Sequence, residues 1–451
     1  MANLVIDDRF VDLLNKAINP IEIAKTSSGF DKIIDSIGEA RIVLMGEATH
    51  GTEEFYQTRI ALSQLLIEQK GFKAIAIEGD WPSVYSMHRY ILGSNDVRNE
   101  RNALNRFTRF PTWMWANTTI PAFLHWLRQY NDNLDVKAKV GIYGLDLYSL
   151  HDSMQAIIEF LASQQPDLAE QAKNRYACFD HTAMDPQMYG YFVNQHLKHS
   201  CIKEVKEQLL EMQHQTFSKV NADKFLLSEA EFYANQNARL VKNAEEYYRA
   251  MFEPRAISWN LRDNHMAQTL SNVIAHIESK SNLPAKVIVW AHNSHVGDAR
   301  ATEMNDRGEV NLGQIVREHY DTSAYLLGFS TYTGTVMAAS DWDYPAEIKT
   351  VLPALEASYE ALFHKLSTNN FFLNLRDKSH LIDLLKHARL QRAIGVIYVP
   401  ESERLSHYYF SQLPYQFDGI IHMDKTSALT ALSMENQSSP DDLPETYPTG
   451  E

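Results

Sequence analysis

The sequence has only two cysteines in 451 residues, Cys178 and Cys201. Neither stands at a spacing typical of metal ligands, so we expect two reduced thiols in the core and no disulfide. The chain also lacks the apolar run of about 18 residues that a membrane-spanning helix needs. Its first ten residues, MANLVIDDRF, carry aspartates where a secretory signal would carry basic residues. These absences predict a cytoplasmic protein without membrane contacts.

The sequence also has fewer basic than acidic residues. The chain has 42 lysines and arginines against 57 aspartates and glutamates, a formal net charge of -15. Such a surface repels phosphate backbones, so we expect no nucleic-acid partner. The hydrophobic fraction of 45% and the charged fraction of 22% are ordinary for a folded globular protein, which excludes a fibrous or disordered chain.

Several catalytic and nucleotide-binding motifs are missing. No serine stands in a GxSxG elbow, because the sequence GFSTYTG around Ser330 lacks the second glycine. No GxGxxG or phosphate-binding loop follows an apolar run. A serine hydrolase of the elbow type and a dinucleotide-binding enzyme are therefore disfavoured.

Apolar, β-branched runs bounded by turn residues predict buried strands. They lie at 42–45, 74–77, 140–143, 287–290, 324–329, 394–399 and 419–421. Helical periodicity fills most of the gaps, as in 52–70, where Thr52 is the expected N-cap and Gly71 ends the helix. Apolar strands that alternate with helices predict an α/β fold, with a mainly parallel central sheet flanked by helices.

The middle of the chain has a different pattern. Residues 151–280 show no strand signal, and amphipathic helices such as SMQAIIEFLASQ follow one another. We interpret this stretch as an all-helical insertion into an α/β catalytic domain formed by 1–150 and 281–433. Residues 434–451 combine proline, serine and acidic residues without periodicity, which predicts a disordered tail.

Acidic and histidine side chains follow four of the predicted strands. In parallel sheets the carboxyl ends of the strands meet at one edge, where ligands bind. The residues at these ends are Glu47 and His50, Glu78 and Asp80, Asp146, and the pair His292 and His295. The sequence therefore predicts one cleft lined by carboxylates and imidazoles.

Arg59 adds a positive charge to this cleft. It lies two turns into the helix 52–70, and helical side chains slant toward the N-terminus, so its guanidinium is expected to reach the mouth. The combination suits removal of a proton from water and stabilisation of an oxyanion. His50 is the predicted base and Glu47 orients it, while Arg59, His292 or His295 stabilises the oxyanion.

Other roles are open for the same side chains. Glu47 could cap the helix and His50 could be a turn residue. Glu78 could pair with Arg59 as a buried ion pair. A divalent metal is a further alternative, because His292, His295 and His50 with Glu47 or Glu78 offer nitrogen and oxygen ligands.

The segment 98–117 interleaves arginines with aromatic residues. Such a mixture could stack nucleobases. The net charge instead favours a lid or wall that closes over an organic substrate. Purely structural packing of the segment is an equal alternative. The predicted substrate-binding residues are Phe110, Trp113 and Trp115 in this segment, together with Asp146.

The ordered motifs GEATHG, AIEGDW, NRFTRFPTWMWAN, YGLDLYS and WAHNSHVGD resemble those of the erythromycin esterase family, and the resemblance runs from about residue 30 to residue 432. It implies hydrolysis of a small-molecule ester or lactone by activated water, without an acyl-enzyme. In this resemblance His50 is the general base, Glu47 assists it, and the residues Arg59, Glu78, His292 and His295 line the cleft.

The resemblance also carries alternatives. The superfamily includes metal-dependent and haem-binding proteins, so a bound divalent metal is an open alternative. GEATHG is more similar to a housekeeping branch, with members called succinoglycan biosynthesis proteins, than to the macrolide resistance enzymes, whose stretch tends to be GEGAHF. A non-catalytic binding protein of a polysaccharide pathway is the alternative from another class.

Overall fold

The computed structural model describes residues 8–22, 29–182, 185–214, 224–281, 283–376 and 379–432. The predicted tail at 434–451 lies outside these residues. The strands are β1 Ile18–Pro20, β2 Ile42–Met45, β3 Ala74–Asp80, β4 Gly141–Asp146, β5 Val287–Trp290, β6 Ala324–Ala338, β7 Glu347–Val351, β8 Asn370–Asn374, β9 Arg389–Arg392, β10 Tyr408–Ser411 and β11 Gly419–Thr426.

The α-helices fall between these strands. They are α1 Asp8–Asn15, α2 Asp31–Ile37, α3 Glu53–Lys70, α4 Trp81–Leu92, α5 Glu100–Leu104, α6 Ile120–Asp132, α7 Leu150–Gln164, α8 Pro166–Tyr176, α9 Pro186–Asn194, α10 Ile202–His214, α11 Lys224–Ala250, α12 Arg255–Ser281, α13 Asn293–Val296, α14 Leu312–Tyr320, α15 Tyr359–His364, α16 Ser379–Leu385, α17 Glu403–Ser406 and α18 Leu413–Gln416. Short 3-10 turns such as Thr112–Met114 join some of them.

The central sheet has nine strands in the order β1-β8-β11-β6-β2-β5-β3-β4, and β7 pairs with β6. Strands β11, β6, β2, β5, β3 and β4 run parallel, whereas β8 pairs antiparallel with β11 and β7 pairs antiparallel with β6. The predicted α/β class with a mainly parallel sheet is confirmed. The order also explains the site, because β2, β5, β3 and β4 are consecutive neighbours and their carboxyl ends lie side by side.

Both faces of the sheet are covered. Along β2, Ile42 and Leu44 belong to one hydrophobic core, and Val43 and Met45 belong to the other. Alternate residues of a strand point to opposite faces, so a strand that is apolar throughout must be packed on both sides. The polar residues that follow the strands therefore lie at the edge of the sheet, where the two hydrophobic cores end.

Helix α3 starts where the pattern predicts. Thr52 is the N-cap residue in an extended conformation, and Gly71 ends the helix in the left-handed conformation. The buried residues Phe55, Leu62 and Leu66 form its inner face. Helix α3 therefore directly follows the turn that carries Glu47 and His50.

Between β4 and β5 the described elements are all helical, from α7 to α12. The division into an insertion and a catalytic domain stays a prediction. Among the described residues, no helix combines the length and the apolar composition that crossing a bilayer requires.

Two expectations are wrong. The stretch 394–399 is not a strand: Ile394 bridges Thr49 and Ile397 bridges Ala339 only singly, because the segment contacts two separate neighbours and no single strand runs beside it. Cys178 and Cys201 form a disulfide, with Cα atoms 6.0 Å apart, a separation that a disulfide readily spans. The expected cytoplasmic location loses the support that free thiols gave it.

Candidate active site

The turn between β2 and α3 is tightly enclosed. A Cβ atom on Gly46 would lie 2.0 Å from Oδ1 of Asn293, and one on Gly51 would lie 1.9 Å from the carbonyl oxygen of Met337. Any larger residue would displace the turn, so glycine is required at both ends of the polar cluster. The close packing fixes the backbone from which Glu47 and His50 project.

Glu47 and His50 form a hydrogen-bonded pair. Nδ1 of His50 lies 2.8 Å from Oε1 of Glu47, whose side chain is completely buried. An ionised carboxylate only accepts hydrogen bonds, so Nδ1 donates and the neutral ring has its lone pair on Nε2. The imidazole is thereby oriented as a base, and its side chain remains 8% exposed.

Arg59 pairs with the other oxygen of Glu47. Its Nη2 atom lies 2.6 Å from Oε2, and both side chains have zero exposure. The guanidinium packs over Tyr56 at 4.4 Å and near Trp290 at 5.2 Å from the ring centres. Arg59 therefore neutralises Glu47 on the side away from His50. Its guanidinium was expected at the mouth of the cleft, but it is completely buried.

Glu78 is held by three groups. Oε1 accepts from Nη2 of Arg262 at 2.7 Å, and Oε2 accepts from the backbone nitrogen of His292 at 2.7 Å. Nε2 of His295 lies 3.4 Å from Oε1. Burial raises the pKa of Glu78, but His295, Arg262 and His50 outweigh it and bring the pKa well below its usual value. Glu78 is therefore ionised. Its cation is Arg262, so the alternative in which Glu78 pairs with Arg59 does not hold.

Arg262 was not foreseen in the sequence. It lies on α12, where an arginine within a long amphipathic helix gives no sign of function. Nε and Nη2 donate to the two oxygens of Asp146 at 3.0 and 2.7 Å, and the guanidinium packs 4.9 Å from the ring centre of Tyr148. The bidentate contact joins the helical region to the end of β4, and the bond to Glu78 joins it to the end of β3.

His295 lies between Arg262 and the next residue of α12, Asp263. Nδ1 is 2.9 Å from Oδ1 of Asp263. Burial lowers the pKa of His295, but Asp263 and Glu78 raise it to about 9. Nε2 is 3.0 Å from Nη1 of Arg262; a guanidinium only donates, so that contact belongs to the unprotonated ring, and the protonated ring uses Glu78 instead.

His292 lies next to His50, with ring centres 4.9 Å apart. Its Nδ1 accepts the backbone N–H of Ser294 at 3.3 Å, so the neutral ring has its proton on Nε2. A neutral His292 therefore offers an N–H donor beside the imidazole base.

A pocket of about 110 Å³ opens beside these groups. Of the predicted residues, His50, Glu78, Asp146, Trp115 and Phe110 line it. Glu47, Arg59, His292, His295 and Trp113 are buried around it without lining it.

The aromatic wall of the pocket comes from two loops. Nε1 of Trp115 donates to the carbonyl oxygen of Glu78 at 3.0 Å, and Phe110 packs edge-on against Trp342 at 4.9 Å. Trp113 instead lies in the core under this loop, with 4% exposure. Trp342 follows β6, far from 98–117 in sequence, and was missed.

Asp80 also lines the pocket. Nη1 of Arg109 donates to its Oδ2 at 2.6 Å. Burial raises the pKa of Asp80 to about 6, against the opposing charge of Arg109. The sequence predicted that Asp80 lies at the end of a strand. Its contact with Arg109 could be recognised only from the structure.

The described residues do not suit a resident metal ion. Within them, no three His, Cys, Asp or Glu side chains are grouped so as to bind one ion. Arg262 already occupies Glu78 and Asp146, and contacts Nε2 of His295. A positive charge at this position is thus supplied by the chain itself.

Residues 67–426 match the family model described as Erythromycin esterase. The chain belongs to the erythromycin esterase family. It is similar to the Bacillus subtilis protein named "Putative hydrolase YbfO", with 22% identity over 85% of this chain and 83% of that protein. It is also similar to erythromycin esterase type II of Escherichia coli, with 22% identity over 87% of this chain and 91% of that one.

A solved structure named as a succinoglycan biosynthesis protein shares the fold. The TM-score is 0.76 and the identity 21%, over 96% of this chain and all of that one. At this identity the likeness concerns the fold alone. As a member of the erythromycin esterase family, the chain has a small-molecule substrate and the general character of a hydrolase.

Proposed function

We propose that the protein hydrolyses a carboxylic ester of a small molecule, using a water molecule activated by His50. The observation that carries this proposal is the chain of contacts from Arg59 to Glu47 to Nδ1 of His50, which leaves Nε2 as the base at a pocket. General-base catalysis requires such an oriented imidazole within reach of its water.

Nε2 of His50 takes a proton from water, and the oxygen of that water bonds to the ester carbonyl carbon. Glu47 stabilises the imidazolium that results. The positive charge of Arg262, which lines the pocket, stabilises the carbonyl oxygen as it gains negative charge. When the bond to the leaving oxygen breaks, the imidazolium returns the proton to that oxygen, which yields an acid and an alcohol.

Glu78 and Arg262 hold this arrangement. Glu78 fixes the backbone of His292, and Arg262 compensates the charges of Glu78 and Asp146. His295 contacts both groups from behind. We infer that His295 sets the charge balance behind the pocket, since it does not line the pocket itself.

A serine, a histidine and an aspartate also align elsewhere. Oγ of Ser330 lies 2.9 Å from Nδ1 of His422, and Nε2 of His422 lies 3.5 Å from Asp424. Ser330 and His422 have zero exposure, and neither lines the pocket at His50. A nucleophilic serine mechanism at this position is therefore not favoured.

The substrate proposal follows the relatives only in part. The Escherichia coli relative is named an erythromycin esterase, which supports testing macrolides and other lactones together with open-chain esters. The GEATHG sequence in place of the GEGAHF of resistance enzymes favours an ester other than a macrolide.

The test is the variant His50→Gln assayed on a panel of lactones, alkyl esters and aryl esters. We expect turnover to fall by about 100- to 10,000-fold, while the melting temperature stays close to that of the wild type. His125→Gln is the matched control, because His125 is 56% exposed and lies on α6, away from the pocket. Hydrolysis that survives in His50→Gln would contradict the proposal.

The panel also separates the two alternatives. A binding protein without catalysis would bind members of the panel but show no His50-dependent hydrolysis. A metal-dependent hydrolase would lose activity on treatment with a chelator and regain it with one divalent ion, whereas the mechanism above predicts no effect of the chelator.

A further inference from the structure

The pocket at His50 is small for a complete organic substrate. Its volume is about 110 Å³, whereas sites that enclose organic ligands typically have roughly 300–1,000 Å³. It has room for the reacting ester group and a few neighbouring atoms. A larger ester must therefore extend beyond it.

A second cavity of about 750 Å³ lies beside it, between α4, α7 and the beginning of α11; we refer to it as the side groove. The pocket and the side groove share three lining residues, Ser83, Arg106 and Asp152. Oγ of Ser83 donates to the carbonyl oxygen of Arg106 at 2.9 Å, which fixes two of the three. The side groove therefore begins where the pocket ends.

The floor of the side groove is polar and rigid. Glu229 and His88 line it and are only 3% and 2% exposed. Oε2 of Glu229 lies 3.1 Å from Nε2 of His88, and Oε1 lies 3.1 Å from Nε2 of His276 and also contacts Lys280. These contacts fix the carboxylate before any ligand arrives, so a ligand meets preorganised hydrogen-bonding groups.

The walls combine hydrogen-bond donors and acceptors. Arg89 is paired with Asp96, and the acidic side chains of Asp152 and Glu159 are exposed. Serine, asparagine and glutamine side chains, together with aromatic and apolar ones such as Tyr85, Phe160 and Tyr233, complete the lining. The excess of carboxylates disfavours an anion. Hydroxyl groups both donate and accept hydrogen bonds, and therefore match this mixed lining.

We propose that the side groove binds the non-reacting part of the ester, and that this part is a neutral, hydroxyl-rich group such as a sugar or polyol unit. The proposal rests on the ester hydrolysis proposed above and adds its substrate class. Contacts between the side groove and the non-reacting part of the ester would hold its carbonyl group in position next to the base.

The test compares two acetate esters that differ only in the alcohol, methyl acetate and 6-O-acetylcellobiose. We expect kcat/KM of the wild type to be about 10- to 100-fold higher for the sugar ester, which a few added hydrogen bonds would provide. Acetylgluconate, an anionic ester, should show no such gain. Ala156→Trp, on the groove wall of α7, should bring the ratio for the two neutral esters close to one.

Ala162→Trp is the matched control, because Ala162 is exposed on the same helix and lines neither cavity. It should keep the wild-type ratio. Ala230→Trp, on the opposite wall in α11, repeats the test if Ala156→Trp fails to fold. A wild-type ratio near one, or a high ratio that persists in a folded groove variant, would overturn the proposal.

A binding measurement separates this proposal from the hydrolysis itself. Calorimetric titration of His50→Gln with 6-O-acetylcellobiose should show binding that is lost when Ala156→Trp is added. If no ester is hydrolysed by the wild type but this pattern holds, the hydrolysis proposal fails and the groove proposal stands. If His50→Gln does not bind the sugar ester while the wild type hydrolyses methyl acetate, the groove proposal fails and the hydrolysis proposal stands.

Discussion

Nη2 of Arg59 lies 2.6 Å from Oε2 of Glu47, and neither side chain has any exposure to solvent. The two residues are only twelve positions apart, on either side of the turn that opens α3. A buried carboxylate of this kind depends on its cation, since desolvation of an unpaired charge costs several kcal/mol. The ion pair is therefore the support on which the orientation of His50 depends.

Arg59→Met should destabilise the protein by about 3–5 kcal/mol, because it leaves the charge of Glu47 buried without its cation. The double variant Arg59→Met with Glu47→Gln should be less destabilised than the sum of the two single variants, with a coupling of roughly 0.5–3 kcal/mol. Denaturant unfolding of the four proteins measures both quantities. Additive effects would show that the two charges do not stabilise each other.

His295 should make stability depend on pH. Its pKa is about 9 in the fold, against 6.5 for an ordinary histidine, so the folded state binds the proton more tightly. The resulting stability is complete below about pH 6.5 and is lost as the pH rises through about 9. We therefore expect the free energy of unfolding of the wild type, relative to that of His295→Gln, to fall across this window.

Unfolding curves measured from about pH 6 to about pH 9.5 check the effect of His295. His125→Gln, which changes an exposed histidine, is the control for the substitution itself. A constant difference between the wild type and His295→Gln would mean that His295 keeps one protonation state throughout.

Ser330→Ala should leave ester hydrolysis unchanged. Ser330 lies on β6 with zero exposure and contacts His422 on the neighbouring strand β11. Its hydroxyl has a structural hydrogen bond, so its loss should cost about 1 kcal/mol of stability. Steady-state kinetics and treatment with a serine-directed fluorophosphonate measure its role in catalysis. Inactivation by the reagent, prevented in Ser330→Ala, would replace the water mechanism by a serine nucleophile.

The disulfide should stabilise the helical region. Cys178 and Cys201 are 23 positions apart, and closing a loop of this length contributes about 3 kcal/mol through the unfolded chain. The double variant Cys178→Ala with Cys201→Ala should therefore have a lower melting temperature than the oxidised wild type. Reduction should lower the melting temperature of the wild type and leave that of the double variant unchanged.

Mass spectrometry after alkylation counts the thiols directly. Two alkylated cysteines in the untreated protein would show that the bond does not form where the protein is made. That result would restore the thiol argument for a cytoplasmic location.

The sheet and the polar strand ends followed from the sequence because parallel, fully buried strands leave a strong local pattern. Runs of apolar β-branched residues ended at Glu47, Glu78 and His292, and neighbouring strands brought them together. The segment 394–399 has the same composition but lacks a strand beside it. Composition alone does not distinguish a paired strand from a buried extended segment.

Arg262 and Asp263 could not be found in this way. They lie within a helix of 27 residues, in a stretch whose periodicity indicates only packing. Their contacts reach Asp146 and His295, which are 116 and 32 positions away. The disulfide was missed for a similar reason, since two cysteines in a helical stretch carry no sign of whether their Cα atoms approach each other.

The position of helix α12 affects the stage of folding at which the protein becomes catalytically active. Arg262 neutralises the carboxylates of Glu78 and Asp146, and the adjacent Asp263 holds His295 behind the pocket. Their helix is the last element of the helical segment between β4 and β5. A partly assembled molecule, with its sheet complete but this helix undocked, would face the pocket with uncompensated negative charge. Recovery of turnover during refolding should therefore lag behind formation of the sheet and coincide with the docking of α12.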